Sequence, residues 1–440
     1  MKTIDGYVAD TLYPSSLHQY FQPAWIDWNL KRRGLTPPRC TSNRAFTLVD
    51  LGCGDGLGLV LAAASYPQAS FIGVDAMPEH VERGMHFAKA AGLGNLTFHC
   101  ATFADAAGLA DGTADYVTAQ GVLSWVNEAN RALLMDLAAR WLTPGGTFTV
   151  GYNCYPGWNT ITGFQRVLNA LCAAGEGSSE ERLALALETA RAANVLSEAA
   201  WQWFHQMREK HPANYFIHEF LNDGWNPAWS GDVIRSLETH GLHFVSQIRA
   251  SEIRREFSYS SDHLESLSKI ANLSTRELAS DILTENWFRH DLYMKLPWTP
   301  LKADTVAQTW LAQWWALCTA PDNIEAYRVT TPAGELDFDG EATRSIIALL
   351  SGGPAPLTSL NGFMPGDLIN AVDALFCAKL IIPVDPAGTA TAATRCNRVM
   401  RDNGWPIGGL AGTCGPMGID RQALPDASES GLRRLGIAPF

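Results

Sequence analysis

The run Val49-Asp50-Leu51-Gly52-Cys53-Gly54-Asp55-Gly56-Leu57-Gly58 constrains this chain more than any other. It follows the apolar run TLVDLG (47 to 52) and leads into the apolar stretch Gly58 to Ser65. A strand therefore has to become a helix across glycines at every second position. Glycine supplies positive φ and lets a backbone approach a ligand with no Cβ in the way. The spacing D-x-G-x-G-x-G differs from the G-x-G-x-x-G of a dinucleotide site, whose third glycine comes three residues after its second.

From Ala45 onward, short apolar runs alternate with helical stretches. TLVDLG, SFIGVD (70 to 75), LTFHCA (96 to 101), DYVTAQ (115 to 120) and TFTVGYN (147 to 153) are strand candidates, and Gly58 to Ser65, Pro78 to Ala91 and Asn127 to Trp141 read as helices. That alternation predicts βαβ units on a parallel sheet, an α/β doubly wound Rossmann-like domain. The expected organisation is an aromatic-rich lead-in or lid over 1–45, with a helix from Pro23 to Arg33, and the sheet domain over 46–250. Within that domain a helical insertion spans 160–222, and the last strand lies around Leu242 to Ile248. A helical middle region over 251–320, a small winged-helix-like C-terminal domain over 321–385 and an extended tail over 386–440 follow.

Asp50 precedes the turn, and Gly52, Cys53, Gly54 and Gly56 form it. S-adenosylmethionine can lie over such a loop with its amino and carboxylate groups near the backbone. Asp75 ends the next apolar strand, 25 residues after Asp50, at the distance expected of a ribose-binding carboxylate. An isolated Asp there also suits a helix start at Pro78. Ala76 and Met77 continue that strand end, and Thr102 and Phe103 offer an adenine ring one polar edge and one apolar face. Gln120 and Gly121 fall at the carboxyl end of the fourth strand, where ligands sit in open α/β sheets.

A net charge of -12 argues against a nucleic-acid partner. The nine cysteines form no C-x-x-C pair, which predicts free thiols in a reducing compartment and no metal site. With no secretory h-region and no run of 18 apolar residues, the expectation is a cytoplasmic protein without stable membrane insertion.

Four segments go beyond the generic pattern: DYVTAQGVLSWV (115 to 126), YNCYPGW (152 to 158), IHEFL (217 to 221) and ENWFRHDL (285 to 292). In this order they resemble marker segments of bacterial class I methyltransferases that carry a methyltransferase regulatory domain, a family that includes lysine methyltransferases of outer-membrane proteins. The resemblance implies S-adenosylmethionine as cofactor, S-adenosylhomocysteine as product, a polypeptide substrate and, as in some members, a homodimer. The chain departs from the family in having Gln120 where a histidine often precedes G-V-x-S-W.

Methyl transfer from a sulfonium is an in-line displacement, so the protein mainly aligns partners and excludes water. An amine acceptor must also lose a proton. Asn153 is a candidate for orienting the amine. Tyr155 and Trp158, turned by Pro156-Gly157, are candidates for walling a cation, worth about 0.5 to 2 kcal/mol. His218 and Glu219 are candidate acid-base groups, Trp125 can close the pocket, and Tyr13, His18 and Tyr20 can form a lid. The leading expectation is methylation of a polypeptide amine, lysine above all. The alternatives are a methyltransferase for a small molecule or saccharide precursor, and a non-catalytic regulator that binds the cofactor.

Overall fold

The computed structural model describes residues 2–39, 45–195, 197–386, 388, 390–405, 409–418 and 429–438. Strands β1 (Thr47–Leu51), β2 (Ser70–Asp75), β3 (Leu96–Cys100), β4 (Ala114–Gln120), β5 (Leu142–Asn153), β6 (Leu242–Gln247) and β7 (Phe288–Lys295) form one sheet in the order β3-β2-β1-β4-β5-β7-β6. The first five pair in parallel, and β7 runs antiparallel to both β5 and β6. Strand order reverses between β1 and β4, so the loops leaving those two strands open a crevice at the carboxyl edge.

Helices cover both faces, as the alternating pattern predicts. Helix α1 (Pro23–Arg32) and α2 (Leu57–Ser65) bury Trp25, Trp28, Val60 and Leu61 on one face together with α3 (Pro78–Ala90). A short turn, α4 (Val122–Trp125), leads to α5 (Glu128–Trp141), which buries Leu134, Leu137 and Trp141 on the other face. Asn127 starts α5 by accepting the Asn130 N–H on its side chain.

Residues 160–222 are helical, as expected. They form α6 (Asn159–Ala174), α7 (Ser179–Ala192), α8 (Glu198–Lys210) and α9 (Ala213–Phe220), around a core of Phe164, Leu168, Phe204, Phe216 and Phe220. A capping box between Ser178 and Glu181 opens α7. Helix α10 (Ser230–Thr239) then leads into β6.

The segment 251–320, expected to be helical, contains helices that include α11 (Leu273–Thr284) and also supplies β7, the strand wedged between β5 and β6. The sheet thus extends past the expected boundary at residue 250. β7 carries Arg289, fully buried, which hydrogen-bonds Glu277 and Asp281 on α11 and Asp291 on its own strand. A charged residue inside a strand hides the apolar alternation that marks other strands.

Trp310–Cys318, expected as helix, is helix only to Leu311 and then becomes β8 (Trp314–Leu317). The hairpin β9 (Arg328–Thr331) and β10 (Gly334–Asp337), helices α12 (Glu341–Leu350) and α13 (Pro365–Cys377), and β11 (Ile381–Val384), paired with β8, follow the expected order. The tail over 386–440 was expected to be extended, yet it contains α14 (Thr391–Asp402). That helix buries Ala393, Cys396, Asn397 and Met400 at helical spacing, and Arg395 donates to Ala91 O and Gly92 O beyond α3. Glycine and proline content obscured that periodicity. Part of the tail, including Pro406 to Gly408, lies outside the described residues, as does Cys40. The eight described cysteines are free. Among the described residues no helix is long and apolar enough to cross a membrane.

Candidate functional site

The crevice at the switch point is a cavity with about 1420 Å³ of empty space counted out to its solvent mouth. The glycine loop forms its floor. Gly52 (φ +74°), Gly54 (φ +58°) and Gly56 (φ +63°) all take left-handed backbone, which the sequence pattern required. Their surroundings differ. A Cβ on Gly52 would fall 2.3 Å from Val122 Cγ2, and one on Gly56 would fall 2.3 Å from the Phe98 ring. At Gly54 nothing lies within 4 Å, so the loop leaves room there for a ligand to approach the backbone.

Asp75 closes one side. Its carboxylate accepts the Gly54 N–H at 2.9 Å and the Met77 N–H at 2.9 Å, and lies 3.2 Å from His80 Nδ1. These bonds fix the carboxylate at the rim while leaving lone pairs for a ribose. Asp50 sits deeper, accepts the Thr118 hydroxyl at 2.8 Å, and is pushed up to about 7 by burial.

Of the expected cofactor residues, Asp50, Gly52, Cys53, Gly54, Asp75, Ala76, Met77, Thr102, Phe103 and Gln120 line this one cavity. Gly56 and Gly121 do not. They act one layer back, Gly56 beneath Phe98 and Gly121 beneath Trp125, whose ring a Cβ at 121 would meet at 2.8 Å. The geometry and chemistry of the cradle fit S-adenosylmethionine: an open glycine turn, a rim carboxylate and an apolar face from Met77 and Phe103.

The roof comes from the lead-in. Tyr13, Pro14, Ser16, His18, Phe21 and Gln22 line the cavity from above. The Tyr13 N–H donates to His80 Nε2 at 3.2 Å, so His80 ties the roof to the rim carboxylate, and the Ser15 hydroxyl bonds Asp55. From the other side α9 holds the same segment, with Asn214 Nδ2 donating to Leu12 O at 2.7 Å. Tyr20 does not line the cavity; it stacks on His290, ring centroids 4.3 Å apart.

The four residues expected to be catalytic do not line the cavity. Trp125 stands there as a wall, with its ring 5.0 Å from Tyr13, and the four lie elsewhere behind it. Asn153 donates its amide N–H to Glu219, which also accepts the Trp225 indole N–H at 3.0 Å. Trp158 is buried because its indole N–H finds Trp287 O at 2.9 Å, and it packs among Trp203, Trp225 and Trp287. Tyr155 meets Trp229 at 5.0 Å. His218 bonds Thr11 O at 2.9 Å through Nε2, and burial lowers its pKa to about 4, so it holds the roof as a neutral ring. Glu219, by contrast, is pushed up to about 7 by burial.

Sequence reasoning missed His80, Asp55 and Gln22 as parts of the site. Asp55 stood inside the motif and His80 bonds Asp75 five residues before it, but the tie from His80 to Tyr13 spans 67 residues and Gln22 carries no local signal.

Residues 48–146 match the methyltransferase domain model, and 212–295 match that of a predicted methyltransferase regulatory domain. An uncharacterised protein from Synechocystis sp. is 24% identical over 371 residues, 81% of this chain and 71% of that protein. A trans-aconitate 2-methyltransferase from Pseudomonas paraeruginosa is 31% identical over 134 residues, 30% of this chain and 44% of that protein. The structure of PKMT2 from Rickettsia typhi in complex with AdoHcy superposes with a TM-score of 0.68 at 17% identity, covering 97% of this chain and 89% of that one, a likeness of fold. With the two domain models matched in this order and the cofactor cradle in place, the chain is an S-adenosylmethionine-dependent methyltransferase whose methyltransferase domain is followed by a segment that matches a predicted methyltransferase regulatory domain.

Proposed function

We propose that this methyltransferase acts on an amine, and that its acceptor is a lysine side chain of a polypeptide. One observation carries the reading. The cavity is lined by four aspartates, Asp5, Asp50, Asp55 and Asp75, and by no lysine or arginine among the described residues. A like charge about 6 Å away costs roughly 2 to 3 kcal/mol at an effective dielectric near 20, and an opposite charge gains as much. Although Asp55 is paired with Arg83 at 3.3 Å, such a lining favours an ammonium acceptor over a polyanionic one. The relative whose name is trans-aconitate 2-methyltransferase takes its name from an anionic acceptor, for which this lining is unsuited. PKMT2, which shares the fold and holds AdoHcy, agrees with the cofactor side of the reading.

When bound, S-adenosylmethionine supplies an electrophilic methyl group on sulfur. The chain's own residues hold and shield. Gly54 leaves space at the backbone, and Asp75 stands ready for ribose hydroxyls. The roof of Tyr13, Pro14 and Phe21 keeps water from the reacting groups. Trp125 offers its face to a cation from the cavity wall. Asn153 and Glu219 brace that wall from behind, and His218, Tyr155 and Trp158 belong to the same support. A homodimer in a reducing, cytoplasmic setting completes the reading, and the free thiols agree with it.

The test is to incubate the full chain with methyl-labelled S-adenosylmethionine and either a lysine-rich peptide or a tricarboxylate, then locate the label by mass spectrometry. Label on Nε of lysine is the expected result. Transfer to the tricarboxylate with none to amines would overturn the reading.

A further inference from the structure

Below the roof, the cavity is bounded by the junction between the lead-in and α1. Gln22, the residue just before α1, is 7% exposed and lines the cavity, yet its side-chain Oε1 has no hydrogen-bond partner. Gln120 at the end of β4 lines the same cavity, and its Oε1 is equally unpartnered. Buried carbonyls left unpaired are rare because losing water without a replacement bond is costly. Two in one cavity call for a common donor.

Strand register shows that the second oxygen occupies the space that a side chain at 151 would take. Gln120 pairs with Gly151 on β5, and a Cβ at 151 would stand 2.0 Å from Gln120 Oε1. Gly151 pairs in turn with His290 on β7, and Phe21, the neighbour of Gln22, lies against the His290 ring at 5.8 Å. The α1 junction and the end of β4 therefore meet over the same patch of sheet. Asp50 lines the cavity as well, two residues along the paired strand from the level of Gln120, since Asp50 pairs with Thr118.

Resting on the methyltransferase reading, we propose that Gln22 and Gln120, with Asp50, form an ammonium-binding subsite. Ionised Asp50 is acceptor-only, each glutamine can turn its amide oxygen inward, and an ammonium is a pure donor with three N–H groups. No lysine or arginine among the described residues lines the cavity to compete for these oxygens. Two ammonium groups can reach the site: the α-ammonium of the cofactor's amino-acid arm, and the amine of the acceptor.

Calorimetry on the full chain separates them. One arm compares S-adenosylhomocysteine with 5′-methylthioadenosine, which shares its nucleoside but has no amino-acid arm. The other titrates n-butylamine, a lysine side-chain mimic, into protein saturated with S-adenosylhomocysteine. If the subsite takes the cofactor's ammonium, Gln22→Leu weakens S-adenosylhomocysteine about tenfold or more and leaves 5′-methylthioadenosine unchanged. If it takes the acceptor, the same substitution weakens n-butylamine by a similar factor and spares S-adenosylhomocysteine.

Gln22→Glu keeps an inward acceptor and is expected to retain whichever affinity Gln22→Leu loses. Gln120→Leu, on a separate segment, gives the same reading should the Gln22 variants fail to fold. The proposal is overturned if leucine at both positions leaves both affinities within about twofold of the original in protein that still binds 5′-methylthioadenosine. Equal losses in Gln22→Glu and Gln22→Leu overturn it too. Failure of the broader methyltransferase reading looks different: the unaltered chain would then bind neither nucleoside.

Discussion

The two halves of the sheet are built on different physics. The half β3-β2-β1-β4 is parallel and closes its turns with glycines; Asp50, Asp75 and Gln120, which line the cavity, sit at or next to its carboxyl strand ends, and its buried ion pair, Asp27 with Arg39, lies outside the sheet, where Tyr116 of β4 donates to Asp27. The half β5-β7-β6 is antiparallel and threaded out of order, and a buried ion cluster around Arg289 holds it to α11. A cofactor that is the same in every turnover can be met by backbone and a fixed carboxylate. The other half is instead assembled from segments far apart in sequence, at the cost of burying charge.

Breaking the charged half gives the largest expected effect. Arg289→Met leaves Glu277, Asp281 and Asp291 without their guanidinium inside the protein, where losing one partner of a buried pair typically costs about 3 to 5 kcal/mol. Against a total stability of about 5 to 15 kcal/mol that is close to unfolding. Denaturant titration is expected to show a midpoint shift of that size; a shift below about 1 kcal/mol would mean that packing, and not the ion cluster, holds this half.

Glu219 sharpens the contrast, because burial raises its pKa to about 7 even though hydrogen bonds from Trp225 and Asn153 pull it the other way. A carboxyl raised in the folded state binds its proton more tightly there than in the unfolded chain. Stability therefore falls as pH rises from about 4.5 to about 7, and the loss is complete above that window. Gln cannot ionise and keeps an oxygen for the Trp225 and Asn153 donors. Glu219→Gln is expected to exceed the original chain in stability at pH 8 by up to about 3 kcal/mol and to match it near pH 5. A difference that does not vary with pH would remove the buried-carboxylate account.

In the parallel half the effect moves from stability to binding. Asp75→Asn keeps the size but halves the acceptor capacity that serves Gly54, Met77 and the ribose. Bonds to a charged acceptor contribute about 1.5 to 3 kcal/mol, so S-adenosylhomocysteine should bind roughly 10- to 100-fold more weakly with the melting temperature little altered. A large loss of stability with unchanged affinity would make Asp75 a loop anchor only.

The same contrast explains what could be read from the amino acids. The glycine loop, Asp50, Asp75, Thr102 and Phe103 form a site legible in one dimension because each lies within a few residues of the strand end that places it. β7 was not legible: Arg289 and Asp291 break its apolar pattern, and their meaning appears only when α11 brings Asp281 and Glu277 to them. Asn153, Tyr155, Trp158 and His218 were recognised as unusual but assigned to the cavity. Asn153 Nδ2, the Trp158 indole and His218 Nε2 instead found Glu219, Trp287 and Thr11, partners that no local spacing reveals. Gln22 and His80 went unnoticed for the complementary reason, since a single glutamine or histidine near a helix start carries no pattern.

The smallest effect tests whether the two halves communicate. Helix α9 lies in the span that matches the regulatory domain, and Asn214 on it holds the roof through one neutral hydrogen bond to Leu12 O, one residue from Tyr13 and two from Pro14, which both line the cavity. Asn214→Ala deletes a bond worth about 0.5 to 1.5 kcal/mol and leaves His80 and Asp55 gripping the roof from the other side. The fold should therefore persist while the roof opens more often. Stopped-flow measurement is expected to show S-adenosylhomocysteine leaving about two- to tenfold faster, with a nearly unchanged association rate. If dissociation is unaltered, the Asn214 bond carries none of the grip, and any hold of α9 on the roof rests on His218, which bonds Thr11 O from the same helix.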